Sequence, residues 1–155
     1  MTEVREFLEK HLQGIFAYDL AHYAATTVPE LGLYEWYITP HRIDGIPFHD
    51  FLMTEAARVG ATPLTGDGLL DNQAQRPAQP ARARFDLANY REQLYGDTAI
   101  ASYTLLVSSS TGAGVTVHSY NESRVIVRFA EGWKVVHVHK SPSWNAPFQP
   151  PSNRT

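Results

Sequence analysis

Apolar residues recur at three- and four-residue steps from Val4 through Phe7, Leu8 and Leu12 to Ile15, which is the stripe of an amphipathic helix. Thr2 is placed to cap it, and Glu3 and Glu6 lie near its positive end. Gly14 is expected to interrupt it. A second helix is predicted over Phe16–Ala25, with Phe16, Leu20, Tyr23 and Ala24 on one side and Thr26, Thr27 and Pro29 stopping it. Leu31–Ile38 is rich in aromatic and β-branched residues and reads as a strand. Pro40 and Asp44-Gly45 mark turns. Pro47 suits the first turn of a third helix, Phe48 to about Val59, which Gly60 closes.

Gly60–Ala83 collects Gly, Pro, Gln, Ala and Asp without periodicity and is expected to form an extended surface loop. Four extended segments follow, at about Arg84–Tyr95, Thr98–Val107, Val115–Phe129 and Trp133–Lys140. Gly96-Asp97 and Glu131-Gly132 are hairpin turns, and Ser108–Gly114 reads as a longer loop. From Pro142 the chain holds four prolines and no core pattern, so residues 142–155 form a tail. Helices followed by hairpin-connected strands make an α+β domain over residues 1–141. Its three N-terminal helices pack on one face of a largely antiparallel sheet.

The chain has 155 residues, which suits one domain with a sizeable core. A formal charge of −3 lacks the electrostatic footprint of a nucleic-acid binder. No polybasic run points to an anionic membrane, and no apolar run reaches the ~20 residues of a spanning helix. Cysteine is absent, which excludes disulfides, thiolate catalysis and cysteine-ligated zinc. The first residues lack the pattern of a secretory signal, so a cytoplasmic location is the expectation. No phosphate loop, nucleophile elbow or dinucleotide fingerprint occurs, and no cofactor is implied.

On the last strand a strict period of two puts Val136, Val138 and Lys140 on one face. Trp133, Val135, His137 and His139 fall on the other. Two histidines on one face fall short of a metal site without a third ligand, so none is assigned. Lys140 ends an otherwise apolar face, and Arg124 falls near the same sheet end if the last two strands pair through Glu131-Gly132. Two cations there would suit a carboxylate or other small anion. His41, Arg42, Asp44 and His49 surround the entry to the third helix. Asp19 and Glu35, set among apolar and aromatic residues, are candidate buried carboxylates whose pKa values burial would raise.

Asn121-Glu122-Ser123-Arg124-Val125 and Glu131-Gly132-Trp133-Lys134-Val135-Val136-His137-Val138-His139-Lys140-Ser141 resemble the closing hairpin of the association (hub) domain of calcium/calmodulin-dependent protein kinase II. Asp19, Tyr23, Pro29, Leu31 and Glu35 are similar to that family's helix-to-strand segment. Gly45, Phe48, His49 and Phe51 are similar to the start of its third helix. The likeness spans about residues 15–60 and 82–141, and the 60–83 loop is longer than the family's. The resemblance implies a conical NTF2-like (cystatin-like) fold with a curved sheet, assembly through sheet contacts, and a pocket of His and Arg that takes small carboxylates. Carried over singly, the pocket residues are His49, Arg124 and Lys140. A third family arginine falls on the uncharged Thr104. The wider superfamily includes SnoaL-like cyclases and enzymes resembling ketosteroid isomerase and scytalone dehydratase.

Two functions follow as expectations. In the first, a stand-alone domain forms homo-oligomers through its sheet and binds a small anionic or aromatic ligand, without nucleic acid or membrane as partner. His49, Arg124 and Lys140 then hold the ligand, with Trp36 and Tyr37 as walls and Thr104 nearby. In the second, the domain is a cofactor-independent lyase or isomerase. There Asp19 or Glu35 is the base, and His49 with Tyr103 or Tyr120 polarises the substrate.

Overall fold

The N-terminal stripe folds as α1 (Glu3–Phe16), capped by Thr2, whose hydroxyl accepts from the Arg5 amide at 3.3 Å. The structure, a computed structural model, describes residues 1–60, 82–147 and 149. Gly14 does not interrupt α1. It is buried on the helix, and a Cβ there would lie 2.3 Å from the His22 ring. The glycine therefore lets the next helix pack close. The chain breaks instead at Tyr18, whose φ of 53° lies in the left-handed region. Helix α2 is shorter than expected, Leu20–Ala25, because Asp19 caps it by accepting from the His22 amide at 2.9 Å.

Strand β1 (Thr27–Tyr34) begins four residues before the expected start and takes Pro29 within it. The short β2 (Ile43–Asp44) pairs with it, and α3 (Ile46–Val59) follows and ends at Gly60, whose φ of 67° supplies the left-handed cap. Residues 61–81, on which most of the expected loop falls, lie outside the described residues, as do 148 and 150–155 of the Pro-rich tail. The remaining strands are β3 (Arg82–Tyr95), β4 (Thr98–Thr111), β5 (Gly114–Phe129) and β6 (Gly132–Pro142). The loop expected over Ser108–Gly114 is mostly strand, since β4 and β5 pair as far as Thr111 with Gly114.

The six strands form one mixed sheet in the order β2-β1-β6-β5-β4-β3. Among the described residues its one parallel pair is β1 with β6; the other pairs are antiparallel. On the inner face Leu31, Leu33, Ala99, Ala101, Leu105 and Ile126 meet Leu8 and Leu12 of α1, all nearly inaccessible to solvent. The α+β class and NTF2-like fold are thus present, with a mixed rather than purely antiparallel sheet.

Candidate functional site

A register slip in β6 decides which side chains reach the inner face. Ile126 pairs with Val135, but Val125 pairs with His137, so Val136 is an extra residue in a β-bulge. Strict alternation therefore fails. Trp133 and Val135 share the buried face with Val138 and Lys140, while His137 and His139 fall on the outer face. The expected grouping of Val136 with Lys140, and of Trp133 with the histidines, is corrected by that one residue.

Lys140 is only 3% exposed. A cation so deep requires a partner, because removing a charge from water costs several kcal/mol. Its Nζ donates to Glu35 Oε2 at 2.6 Å, and the same oxygen lies 3.9 Å from His49 Nε2. Glu35 follows the end of β1 and His49 lies in the first turn of α3, so the β1–α3 connection brings both to the β6 lysine. Burial pushes the Glu35 carboxyl up, against the pull of Lys140. His49 is held down to about 3, first by burial and then by Lys140 and Arg124, so it is a neutral imidazole at pH 7.

Beside this trio Glu122 and Arg124 stand two residues apart on β5 and form a buried ion pair. Tyr103 of β4 donates to Glu122 Oε2 at 2.7 Å, and Arg124 donates to both. Burial opposes the charge on Glu122, but Arg124, Lys140 and the Tyr103 hydroxyl outweigh it and hold the carboxyl below the usual range. Burial likewise opposes the Arg124 charge, and Glu122 with Tyr103 outweighs it, so the guanidinium stays protonated. Two carboxylates and two cations thus balance one another. Four polar atoms in this region lack a partner among the described residues: Glu35 Oε1, Glu122 Oε1, Arg124 Nε and His49 Nδ1. Such atoms are the ones a bound molecule or water would satisfy.

Aromatic rings enclose the cluster. Tyr23 stacks on His49 at 5.1 Å and His11 lies against Tyr23 at 5.6 Å. His11 Nδ1 is 2.8 Å from the Thr26 hydroxyl, and burial followed by Arg124 keeps its imidazole well below its ordinary pKa. Trp36, 40% exposed, stacks on the buried Tyr120 and meets Tyr37 edge-on at 5.3 Å. Burial followed by Glu35 and Glu122 pushes the Tyr37 phenol well up.

Glu35, His49, Arg124 and Lys140 therefore converge, with Trp36, Tyr37, Tyr103 and Tyr120 around them. Asp19 does not join them; it is exposed and committed to capping α2. Thr104 is corrected too. It lies on the outer face, where its hydroxyl donates to Asn121 Oδ1 at 2.9 Å. His41, Arg42 and Asp44 are exposed, with Arg42 and Asp44 paired at 2.6 Å. Glu122 escaped the sequence reading although it stands two residues before Arg124 and so shares its strand face. His11 sits on the apolar stripe of α1 and was legible there by spacing.

The outer face holds a shallow groove of about 600 Å³, whose lining includes Asn89, Ser102, Thr104, Ser123, His137 and His139. Among the described residues no group of three or more His, Asp or Glu side chains could hold a metal ion. No described helix is long and apolar enough to cross a membrane.

The family model for the calcium/calmodulin dependent protein kinase II association domain matches residues 1–62 and 71–144. No curated protein matches the chain. Among solved structures, the kinase II hub homology domain of Chlamydomonas reinhardtii is 22% identical with a TM-score of 0.72, over 92% of this chain and 97% of that one. The S. rosetta kinase II hub is 24% identical with a TM-score of 0.67, over 90% and 94%. An NTF2-like protein of unknown function from Pseudomonas putida is 16% identical with a TM-score of 0.63, over 94% and 87%. At these identities the structural likeness establishes the fold alone.

Proposed function

The chain belongs to the calcium/calmodulin dependent protein kinase II association domain family, and from that premise we propose that it is a self-associating domain whose copies meet through the outer face of the sheet. The observation that carries this reading is the composition of that face. Its positions on β4 and β5, from Thr98 and Ile100 to Val125 and Val127, include no Asp, Glu, Lys or Arg. Depletion of charge marks the core of an interface, whereas a solvated sheet face ordinarily carries charges. Hub structures of similar fold support the same reading. Native mass spectrometry and light scattering test it, with an assembly of defined size expected at micromolar concentration. A monomer under those conditions overturns it.

The inner cluster is the proposed small-ligand site. Each cation is already matched by a glutamate, so a free anion would have to displace Glu35 or Glu122. A ligand with an aromatic ring against Trp36 and one polar group for Arg124 Nε needs no such exchange, so the aromatic class is favoured over the simple anion. The same native spectra, read for a retained small molecule in wild type and in Trp36→Ala, test this part separately. A second reading, a lyase or isomerase, is favoured by one observation. Glu35, its carboxyl raised by burial, lies 3.9 Å from a neutral His49 as a base and hydrogen-bond donor would. Asp19, outside the cluster, has no part in it. Turnover abolished by Glu35→Gln would favour that reading over simple binding.

A further inference from the structure

Lys140 is placed unlike the other lysines of the chain. There are three, and Lys10 is exposed and Lys134 half-buried, whereas Lys140 is 3% exposed. An ammonium carries three N–H donors. Among the described residues the Lys140 Nζ reaches one acceptor, Glu35 Oε2 at 2.6 Å. Two of its N–H bonds are therefore left without an acceptor in a site that water hardly reaches, which is costly.

Charge balance restricts what could relieve this. Glu35 and Glu122 already match Lys140 and Arg124, so a further anion would be in excess. A carbonyl compound adds no charge. Condensing with the amine, it replaces two of the three N–H bonds by one C=N bond, and the remaining N–H keeps Glu35 as its acceptor. The iminium carries the same single positive charge as the ammonium. Glu35 is placed to move the protons, because it already bonds Nζ, burial raises its carboxyl, and its Oε1 has no partner among the described residues. Aromatic surface lies alongside. Trp36 follows Glu35 in the chain and stacks on Tyr120, and Tyr120 is two residues from Glu122, which pairs with Lys140.

We infer that Lys140 forms an imine with a small aromatic aldehyde whose ring lies against Trp36. The inference rests on the small-ligand site proposed above and assigns it a covalent step. Lys140 first passes a proton to Glu35. The amine lone pair then attacks the carbonyl carbon, the C–N bond forms, and the carbonyl π pair moves to oxygen. One proton shifts from nitrogen to that oxygen, giving a carbinolamine. Glu35 returns its proton to the hydroxyl, the C–O bond breaks, and water leaves as the nitrogen pair forms C=N. Carbonyl and ammonium have become iminium and water, with Glu35 again a carboxylate and no oxidant or reductant needed.

The probe is benzaldehyde with sodium cyanoborohydride, which reduces an imine to a stable secondary amine, applied to the full chain. Peptide mass mapping is expected to find Lys140 benzylated at least tenfold faster than Lys10 or Lys134. Lys140→Arg keeps a cation for Glu35, but a guanidinium forms no imine, so this variant should lose that adduct and keep the other two. Glu35→Gln, which cannot take the proton, is expected to slow labelling of Lys140 at least tenfold, and an unchanged rate overturns the transfer through Glu35. Benzyl alcohol has the same ring and no carbonyl. Its effect on tryptophan emission, compared between wild type and Trp36→Ala, reads the aromatic site by itself. If benzyl alcohol acts through Trp36 while Lys140 is labelled no faster than Lys10, the imine is overturned and the ligand site stands. No Trp36-dependent signal together with no preferential labelling overturns both.

Discussion

The two faces of the sheet over β4 and β5 are built from alternate residues of the same strands, yet they invert the usual distribution of charge. The inner face buries Glu122, Arg124 and Lys140, each at most 3% exposed. The outer face of β4 and β5 carries only uncharged residues at positions that solvent reaches. Buried charge is tolerated only when paired, and an uncharged open face is stable in solution only when small or covered. The charges of one face are thus paired within the chain, and the other face is suited to cover by a second copy. The comparison separates what stabilises the fold from what the proposed association would use.

The largest effect should come from breaking the inner face. Arg124→Ala removes the partner of Glu122 and leaves a carboxylate in a nearly inaccessible site, so it should cost about 3–5 kcal/mol of stability in urea unfolding. Converting both members, Glu122→Gln with Arg124→Met, should cost clearly less, because no charge is stranded. A double variant as unstable as the single one would mean that packing, not charge pairing, sets the cost.

Breaking the outer face should act on assembly and spare the monomer. Val125→Glu puts a charge at the centre of the proposed contact and should weaken association at least tenfold, about 1.4 kcal/mol or more. Monomer stability should change by no more than about 1 kcal/mol. Analytical ultracentrifugation across a concentration series reads the first and urea unfolding the second. An unchanged assembly would move the contact elsewhere on the chain.

Acid separates the faces in a third way. An unfolded His49 takes up a proton near its ordinary value of 6.5, whereas the folded one resists until about 3. Its pKa is depressed by folding, so stability falls as pH drops below 6.5. His11, also held well down, contributes in the same direction. Glu122 adds to the loss only below its ordinary 4.5, and Glu35, raised by burial, opposes it. Unfolding free energy should therefore begin to decline between pH 6.5 and 4.5, and His49→Gln should flatten that part of the curve. Parallel curves for wild type and variant would remove His49 from the acid response.

Much of this was written in the sequence. The α1 stripe, the third helix, the hairpin turns and the convergence of His49, Arg124 and Lys140 all follow from periodicity, turn chemistry and the family resemblance. Register was less accessible. A bulge adds one residue, and nothing in Val135-Val136-His137 announces which valine is the extra one. His137 and His139 consequently changed faces relative to Trp133. Asp19 had the composition of a buried base, but Asp is also a preferred cap, and backbone geometry chose that role. The charge balance was illegible for a further reason. The pairing of Glu35 with Lys140 spans most of the chain, and only the tertiary fold brings them together.

The smallest effect is expected where the same local motif recurs without burial. Arg84 and Asp86 on β3 stand two residues apart and pair at 2.9 Å, as Glu122 and Arg124 pair on β5. Spacing, strand geometry and chemistry are alike. The side chains of the β3 pair, however, are 76% and 51% exposed, whereas those of the β5 pair are 2% and 1%. Water and salt screen the first, and either partner left alone is simply solvated. Arg84→Ala should therefore change stability by less than about 0.5 kcal/mol, several-fold less than Arg124→Ala. Raising salt to 1 M should erase what difference remains, while the Arg124→Ala deficit persists, since its cause lies beyond the reach of ions. Matched unfolding curves of the two variants at both salt concentrations decide whether burial, rather than pairing itself, sets the energy.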